Sequence, residues 1–412
     1  MWILICLFGV STLTIMWTCF GYFLYVWAYG LLRPRASSSA STADPSLPFL
    51  SVIVPCYNEA QNVAEKLANT RALDYPREQI EVIFIDGGST DGTFEWLASH
   101  ATEPWIRVQR ASRTGKTHQL NEVLRDVRGQ VVVNSDCDAL LAPNVLEQLA
   151  LRLQQDRSMG VVGAYCRPRE GIAVDIYYWD AQNKGRILEA RAGTSSIAIA
   201  CCYAFRRELI NQFPDDVIAD DVYIALAAHV TGLTVGFCEE AAVYEMRGAR
   251  SISEFFPHKF RKSNAYLREM LRFLYRLPEL KPLQKLIFLS RLAQQLILPW
   301  ALGAWATLTL ALLTLFRWDI VGLGTFTLFI SFVATSQVFA MTKLPDGRRP
   351  ASLLVVGSAY VFTNLLLMIT SMSYPFYQQS SNYARVGEDI ETGKLRPAND
   401  SELADELMDR AS

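Results

Sequence analysis

The sequence predicts an α/β domain built on a mainly parallel sheet and joined to a helical transmembrane region. Three observations predict it: strand-like and helix-like stretches alternate between residues 49 and 250, charge-free apolar runs flank that alternation, and acids stand at the ends of three strand stretches. At 412 residues the chain exceeds one ordinary domain, and 51% hydrophobic residues with positive mean hydropathy is high for a wholly soluble protein.

Residues 1–32 contain no charged side chain. The run is long enough to cross about 30 Å of hydrocarbon with some tilt. A cleaved signal peptide carries its basic residues before a shorter apolar core. Here Arg33 and Arg35 follow the run, so it is read as a retained anchor. Residues 33–48, with ASSSASTADP at 36–45, form a small polar linker.

From residue 49 onward, LSVIVP (50–55), EVIFID (81–86), IRVQR (106–110), VVVN (131–134) and GVVGA (160–164) read as strands. Helices are expected near 60–71, 91–99, 117–127 and 143–155. Such alternation argues for helices on both faces of the sheet. Residues 251–291 read as basic and amphipathic interfacial helices. Ser251 and Glu254 have capping-box spacing, and His258, Arg261 and Lys262 share one face at i, i+3 and i+4.

Charge-free runs at 292–316, 320–342 and 350–377 supply three further spans, and an acidic polar tail occupies 378–412. With four alternating spans, Arg33 and Arg35, then Lys281, Lys285 and Arg291, then Lys343, Arg348 and Arg349 all fall on one side. The positive-inside rule makes that side cytoplasmic. The expectation is a multi-pass protein of the bacterial plasma membrane with its soluble domain in the cytoplasm and both termini outside.

The net charge of −2 gives no sign of nucleic-acid binding. Eight cysteines occur without a C-x-x-C pair, which suits reduced, packed thiols.

In doubly wound sheets ligands bind beyond the carboxyl ends of the strands. Those ends carry Glu59 in CYNE, Asp86 in DGGSTDG, and Asp136 and Asp138 in SDCD. Asp-x-Asp also occurs in solvated turns. An edge with four acids suits a phosphate when a divalent ion bridges the charges, and Mg²⁺ or Mn²⁺ binds through one or two carboxylates plus substrate phosphates. Lys116, at the loop-to-helix junction RTGKT, adds a cation. A P-loop fails because Arg110 stands where its first glycine belongs. Zinc is disfavoured by four scattered histidines and by a lone Cys137 facing away from its flanking acids.

Asp220 and Asp221 open a further helix. They serve either its dipole and cap, or one is a general base for an incoming hydroxyl. The basic stripe of His258, Arg261 and Lys262 meets either anionic headgroups or a diphosphate leaving group.

The ordered set PCYNE (55–59), IDGGSTDGT (85–93), GKTHQLN (115–121), SDCD (135–138), CYAFRRELI (202–210) and ADD (219–221), followed by the basic helix, resembles the membrane-embedded members of glycosyltransferase family 2, related to the polysaccharide and cellulose synthase-like group. The resemblance implies a GT-A fold over residues 49–250. It implies that Pro55, Glu59 and Asp86 contact the nucleoside of a nucleotide-sugar, that Lys116 lies by the nucleotide, and that Asp136 approaches the ribose or sugar. Asp138, with Asp136 beside it, would hold Mg²⁺ or Mn²⁺. Asp221, next to Asp220, would deprotonate the acceptor hydroxyl, with inversion at the anomeric carbon, while His258 and Arg261 face the substrate.

The activity so implied is transfer of a hexosyl or N-acetylhexosaminyl group from a UDP-sugar to a lipid-linked or membrane-proximal glycan acceptor at the bilayer, in polysaccharide biosynthesis of the cell envelope. Two departures stand out. Gly87 replaces a frequent second Asp, and the Q-x-x-R-W of polymer synthases reads His258-Lys259-Phe260-Arg261-Lys262. Without the stacking tryptophan, transfer of one or few sugars is favoured, with a processive exopolysaccharide synthase as the alternative and a non-catalytic scaffold as a second. Tyr177, Tyr178 and Trp179 offer another aromatic floor or simply interface packing.

Overall fold

The structure is a computed structural model that describes residues 1–33, 47–199, 201–347 and 351–376. Most of the linker, with Arg35, and Arg348, Arg349 and the acidic tail from 378 onward lie outside the described residues.

The chain opens with α1 (Trp2–Ile15), a π-helical segment and α2 (Tyr22–Leu32), which run on as one helix. Then come β1 (Leu50–Cys56), α3 (Val63–Arg71), β2 (Ile80–Asp86), α4 (Thr93–His100), β3 (Ile106–Arg110), α5 (Lys116–Leu124) and β4 (Val131–Ser135). They are followed by β5 (Ala139–Leu141), α6 (Val145–Gln155), β6 (Met159–Pro168), α7 (Ala173–Ala192), β7 (Cys202–Arg206), α8 (Asp220–Val230) and β8 (Thr234–Glu245). α9 (Ile252–Phe273) and α10 (Pro282–Leu296) lead to the apolar helices α11 (Leu298–Thr314), α12 (Trp318–Met341) and α13 (Leu353–Ser373).

The strands form one sheet in the order β3-β2-β1-β4-β7-β6-β8-β5. The first four are parallel, as expected. Every residue of β2, IEVIFID, is buried, which its continuous apolar character requires of a strand covered on both faces. Alternate side chains separate into two cores: Val52, Val82, Phe84 and Val133 pack with Leu146 and Leu149 of α6, while Ile53, Ile83 and Val132 pack with Leu120 of α5 and Leu226 of α8. Beyond β4 the sheet becomes mixed, because β7 enters opposite Ser135 and runs antiparallel to both β4 and β6.

Three described helices are long and apolar enough to cross a membrane: residues 2–32, α12 and α13. α10 and α11 make a fourth span if their pair is counted as one, with a 55° bend between them. The bend lies just before Pro299, which lacks an N–H for the helical ladder. α10 begins against the α/β domain, where Lys281 Nζ donates to Gly232 O at 2.6 Å. α11 lies along α1, with Trp305 stacked on Phe8 at 5.7 Å and donating to Thr12 Oγ1 at 3.0 Å. The bent pair therefore reaches from the α/β domain to the N-terminal half of the first helix. Two other helix ends also meet that domain: Arg33 donates to Ala192 O at 3.2 Å, and Asp346, after α12, accepts from Tyr165 at 3.1 Å and pairs with Arg167.

Candidate active site

The acids gather where the parallel strands end. Gly115 has φ +109°, a left-handed conformation that glycine tolerates, and it turns the chain into α5 so that Lys116 stands over the edge. Lys116 Nζ lies 2.7 Å from Asp136 Oδ1 and 3.1 Å from Asp220 Oδ1. The other oxygen of Asp220 accepts from Asn134 Nδ2 at 2.9 Å and from Tyr203 OH at 2.7 Å. Asn134 and Tyr203 are register partners of β4 and β7, so the antiparallel strand builds the seat of Asp220.

Asp220 is buried and engaged on both oxygens, whereas Asp221 beside it is half-buried. Burial, reinforced by Asp220, raises the Asp221 carboxyl to about 6. That is a suitable value for a proton acceptor near neutral pH. Burial likewise raises Asp136, against the pull of Lys116, and Lys116 stays protonated because Asp136 and Asp220 outweigh its own burial.

The second group centres on a residue that sequence reasoning missed. Arg247, just after β8, pairs with Glu59 and lies 3.3 Å from Asp138 Oδ2 through its Nε. Glu59 also accepts from Asn62 Nδ2 at 2.7 Å. Beneath SDCD lies another unanticipated cation, Lys66. It is wholly buried and donates to Ser135 Oγ at 2.7 Å and Ala139 O at 2.5 Å. Cys137 turns into the core between the two acids, as the alternation predicted, and the neighbouring Cys56 thiol together with burial pushes its own thiol up. No sequence pattern marks Arg247 or Lys66. They become legible only once the sheet order is known.

Asp86 is nearly inaccessible and organises its own loop: it accepts from the amides of Gly88 and Ser89, each at 3.0 Å, and from the Ser89 hydroxyl. Pro55 is half-buried in β1, in register with Ile85. At Gly87, a Cβ would fall 1.9 Å from Gln119 Nε2, whose amide donates to Cys56 O at 2.9 Å. Gln119 thus fills the space in which a second acid would stand.

The basic helix forms as the spacing predicted. Ser251 Oγ accepts from Glu254 N at 3.3 Å, and Glu254 accepts from Arg250 N at 2.9 Å. His258 differs from the cationic role expected of the stripe. Burial and the charges of Lys262, Lys259, Arg261 and Arg247 drive its pKa far down, so it is a neutral imidazole. Lys262, at the position of the missing tryptophan, sits 3.6 Å from Glu245 and 5.3 Å from the Trp179 ring. Lys259 pairs with Asp175 at 2.7 Å and lies 4.3 Å over Tyr178 and 5.2 Å from Trp179. Trp179 is buried against these lysines and offers no open floor to a sugar.

Among the described residues no three His, Cys, Asp or Glu come together as a metal cluster. Asp136 and Asp138 still present the oxygen donors that Mg²⁺ or Mn²⁺ requires, and each already faces a side-chain cation. Such a pair fits a hard ion that takes its remaining ligands from substrate phosphates and water.

This constellation can be compared with known proteins. Residues 51–213 match the family described as Glycosyl transferase family 2. The chain carries a glycosyl transferase family 2 domain. An N-acetylglucosaminyltransferase of Mesorhizobium japonicum is 30% identical to it over 191 residues, covering 44% of this chain and 45% of that protein. A β-monoglucosyldiacylglycerol synthase of Nostoc is 33% identical over 138 residues, 32% of this chain and 30% of that one. The chain thus spans about half the length, or less, of the curated relatives it matches.

A mannosyltransferase of Pyrobaculum calidifontis, solved in complex with GDP-Man and Mn²⁺, superposes with a TM-score of 0.66 at 24% identity, covering 90% of this chain and 99% of that one. The likeness establishes the fold, GT-A-like, for the family 2 domain and extends over most of the helical region.

Proposed function

We propose that the protein transfers a sugar from a nucleoside-diphosphate sugar to an acceptor hydroxyl at the membrane, inverting the anomeric configuration, with Asp221 as general base. The observation that carries this reading is the pairing of a half-buried Asp221, its carboxyl near 6, with an Asp220 locked by Lys116, Asn134 and Tyr203. Asp221 takes the proton of the acceptor hydroxyl. That oxygen attacks the anomeric carbon from the face opposite the diphosphate, the bond to the β-phosphate oxygen breaks, and the nucleoside diphosphate leaves with the electron pair.

Glu59 and Asp86, on the ends of adjacent strands, frame the nucleoside, with Pro55 behind them. Lys116 lies by the phosphates and Asp136 by the sugar, while Arg261 and the neutral His258 approach from α9. A divalent ion held by Asp138 and Asp136 would offset the charge that develops on the leaving diphosphate. The Mn²⁺ complex of the structural neighbour supports that assignment.

The names of the relatives support an N-acetylglucosaminyl or glucosyl group as the one transferred and, in one case, a diacylglycerol lipid as the product's anchor; the reading takes a UDP-sugar as donor and a lipid-linked or membrane-proximal glycan as acceptor. Lys262 on Glu245 and the buried Trp179 favour one or few transfers over polymer synthesis. The catalytic unit is residues 49–250. It lies on the cytoplasmic face of a bacterial plasma membrane, where the helix ends of α2, α10 and α12 meet it.

Purified protein, incubated with UDP- and GDP-sugars and membrane lipid extract, should release nucleoside diphosphate and give a glycosylated product by mass spectrometry. Release of pyrophosphate instead would indicate a nucleotidyltransferase. Unchanged product with Asp221→Asn would remove the base assignment.

A further inference from the structure

α7 links the site to the membrane helices. Tyr178, two turns from Arg186, packs edge-on against Phe255 of α9 at 6.5 Å. At the other end of the helix Glu189 is wholly buried. Its Oε1 accepts from Tyr22 OH and from Arg291 Nε at 2.7 Å, and its Oε2 accepts from Ser196 N at 2.8 Å. Glu189 is therefore satisfied and neutralised by Arg291.

Arg186, one turn away on the same helix, has no such arrangement. It is only 6% exposed, and among the described residues neither its Nε nor its Nη1 has a hydrogen-bond partner. Gly185 beside it lets the anchor close in, since a Cβ there would meet Arg291 Nη2 at 3.0 Å and the Phe23 ring at 3.2 Å. Two guanidinium groups, those of Arg186 and Arg291, thus lie by Glu189, whose carboxylate is already satisfied. Burial and Arg291 work against the charge of Arg186, while Tyr178, Glu189 and Asp221 favour it.

A buried guanidinium with unused donors destabilises a fold unless an anion arrives to meet it. Between the first helix and α10, an open, mainly apolar cleft of about 330 Å³ is lined by Val10, Leu13, Thr14, Trp17, Thr18 and Ala293. Its lining suits a hydrocarbon chain, and Ala293 is two residues from Arg291.

We propose that Arg186 binds a phosphate group of a lipid-borne acceptor, whose hydrocarbon chain lies in the cleft between the first helix and α10. This deepens the transferase reading and rests on it. Guanidinium groups match phosphate oxygens and are less strongly hydrated than an ammonium, which suits a site at headgroup depth.

The test uses the full chain in detergent, as wild type, Arg186→Met and Arg186→Lys. Thermal unfolding is measured, and native mass spectrometry follows titration with phosphatidic acid, diacylglycerol, glycerol 3-phosphate and UDP or GDP. The Arg186→Met protein should unfold at the wild-type temperature or higher and bind phosphatidic acid at least about tenfold more weakly. Arg186→Lys should fall between, diacylglycerol binding should not change, and glycerol 3-phosphate should bind far more weakly than phosphatidic acid.

Equal binding of phosphatidic acid by all three proteins overturns the proposal, and so does a lower unfolding temperature in both variants, which would make Arg186 structural. Glycerol 3-phosphate bound as tightly as phosphatidic acid would replace the lipid with a soluble phosphate ester. Wild-type protein that binds neither UDP nor GDP would count against the transferase reading itself, whereas nucleotide binding with Arg186-independent lipid binding sinks only this inference.

Discussion

Lys116 and Asp220 form an ion pair of 3.1 Å that ties the first residue of α5 to the first residue of α8. Because Lys116 also holds Asp136 at 2.7 Å, one ammonium joins the proposed sugar-nucleotide half of the site to the proposed acceptor half. Replacing it with Met leaves two acids facing each other, one of them deeply buried. Lys116→Met should lose about 2–3 kcal/mol of stability. It should also lower the turnover at least about a hundredfold. Thermal unfolding and nucleoside-diphosphate release measure the two effects.

Asp221 makes a prediction with opposite signs for stability and activity. Its folded-state pKa of about 6 lies above its ordinary value of 3.8. The folded protein therefore binds more protons than the unfolded chain between those values, and stability falls as pH rises through that window. With Asp221 as the proposed base, activity should rise through about pH 6. Asp221→Asn should remove both slopes, stabilise the protein by about 1–2 kcal/mol above pH 6, and cut turnover about 10²–10⁴-fold. Unfolding curves and rate profiles at pH 5 and 8 check this.

Arg247 bridges Glu59 and Asp138, so Arg247→Met should cost about 2–4 kcal/mol in thermal or denaturant unfolding. A lysine there restores the charge but not the two-armed geometry and should recover only part of the loss. If Asp138 carries the ion, chelation should stop nucleotide release and added Mg²⁺ or Mn²⁺ should restore it, with Asp138→Asn needing about tenfold or more metal.

Gly87 is constrained by Gln119. A side chain at position 87 must push the amide away from Cys56 O, and Gly87→Ala should cost about 1–2 kcal/mol. Gly87→Ala combined with Gln119→Gly removes the clash, so Gly87→Ala should then cost no more than a few tenths of a kcal/mol. Chemical denaturation of the four proteins forms the required cycle.

The bent pair of α10 and α11 predicts sidedness. A cysteine at Arg317, between α11 and α12, should react with an impermeant thiol reagent from outside intact cells, whereas one at Lys343 should react only after the membrane is opened. Labelling of both from the same side would make the bent pair re-entrant.

Much of the acidic strand edge was legible in the chain. Parallel strands buried on both faces read as continuous apolar runs, so the polar residues that end them announce themselves, and Glu59, Asp86, Asp136 and Asp138 were found in this way. The helix start at Asp220 and the cap at Ser251 are local chemistry and were equally visible. Gly87 was noticed as a departure, but its reason, the Gln119 amide, lies on another helix.

The residues that complete the site were hidden because their contacts join distant parts of the chain. Asn134 meets Asp220 across 86 positions and Arg247 meets Glu59 across 188, distances over which no periodicity carries information. The sequence by itself determined the strands, the acids at their ends and the apolar helices, since these follow from local patterns of burial. Only the tertiary structure decided that β7 would run antiparallel and seat Asp220, that His258 would be neutral among four cations, and that Arg186 would be buried with two nitrogens unpaired among the described residues. Charge balance and desolvation depend on which groups the fold brings together.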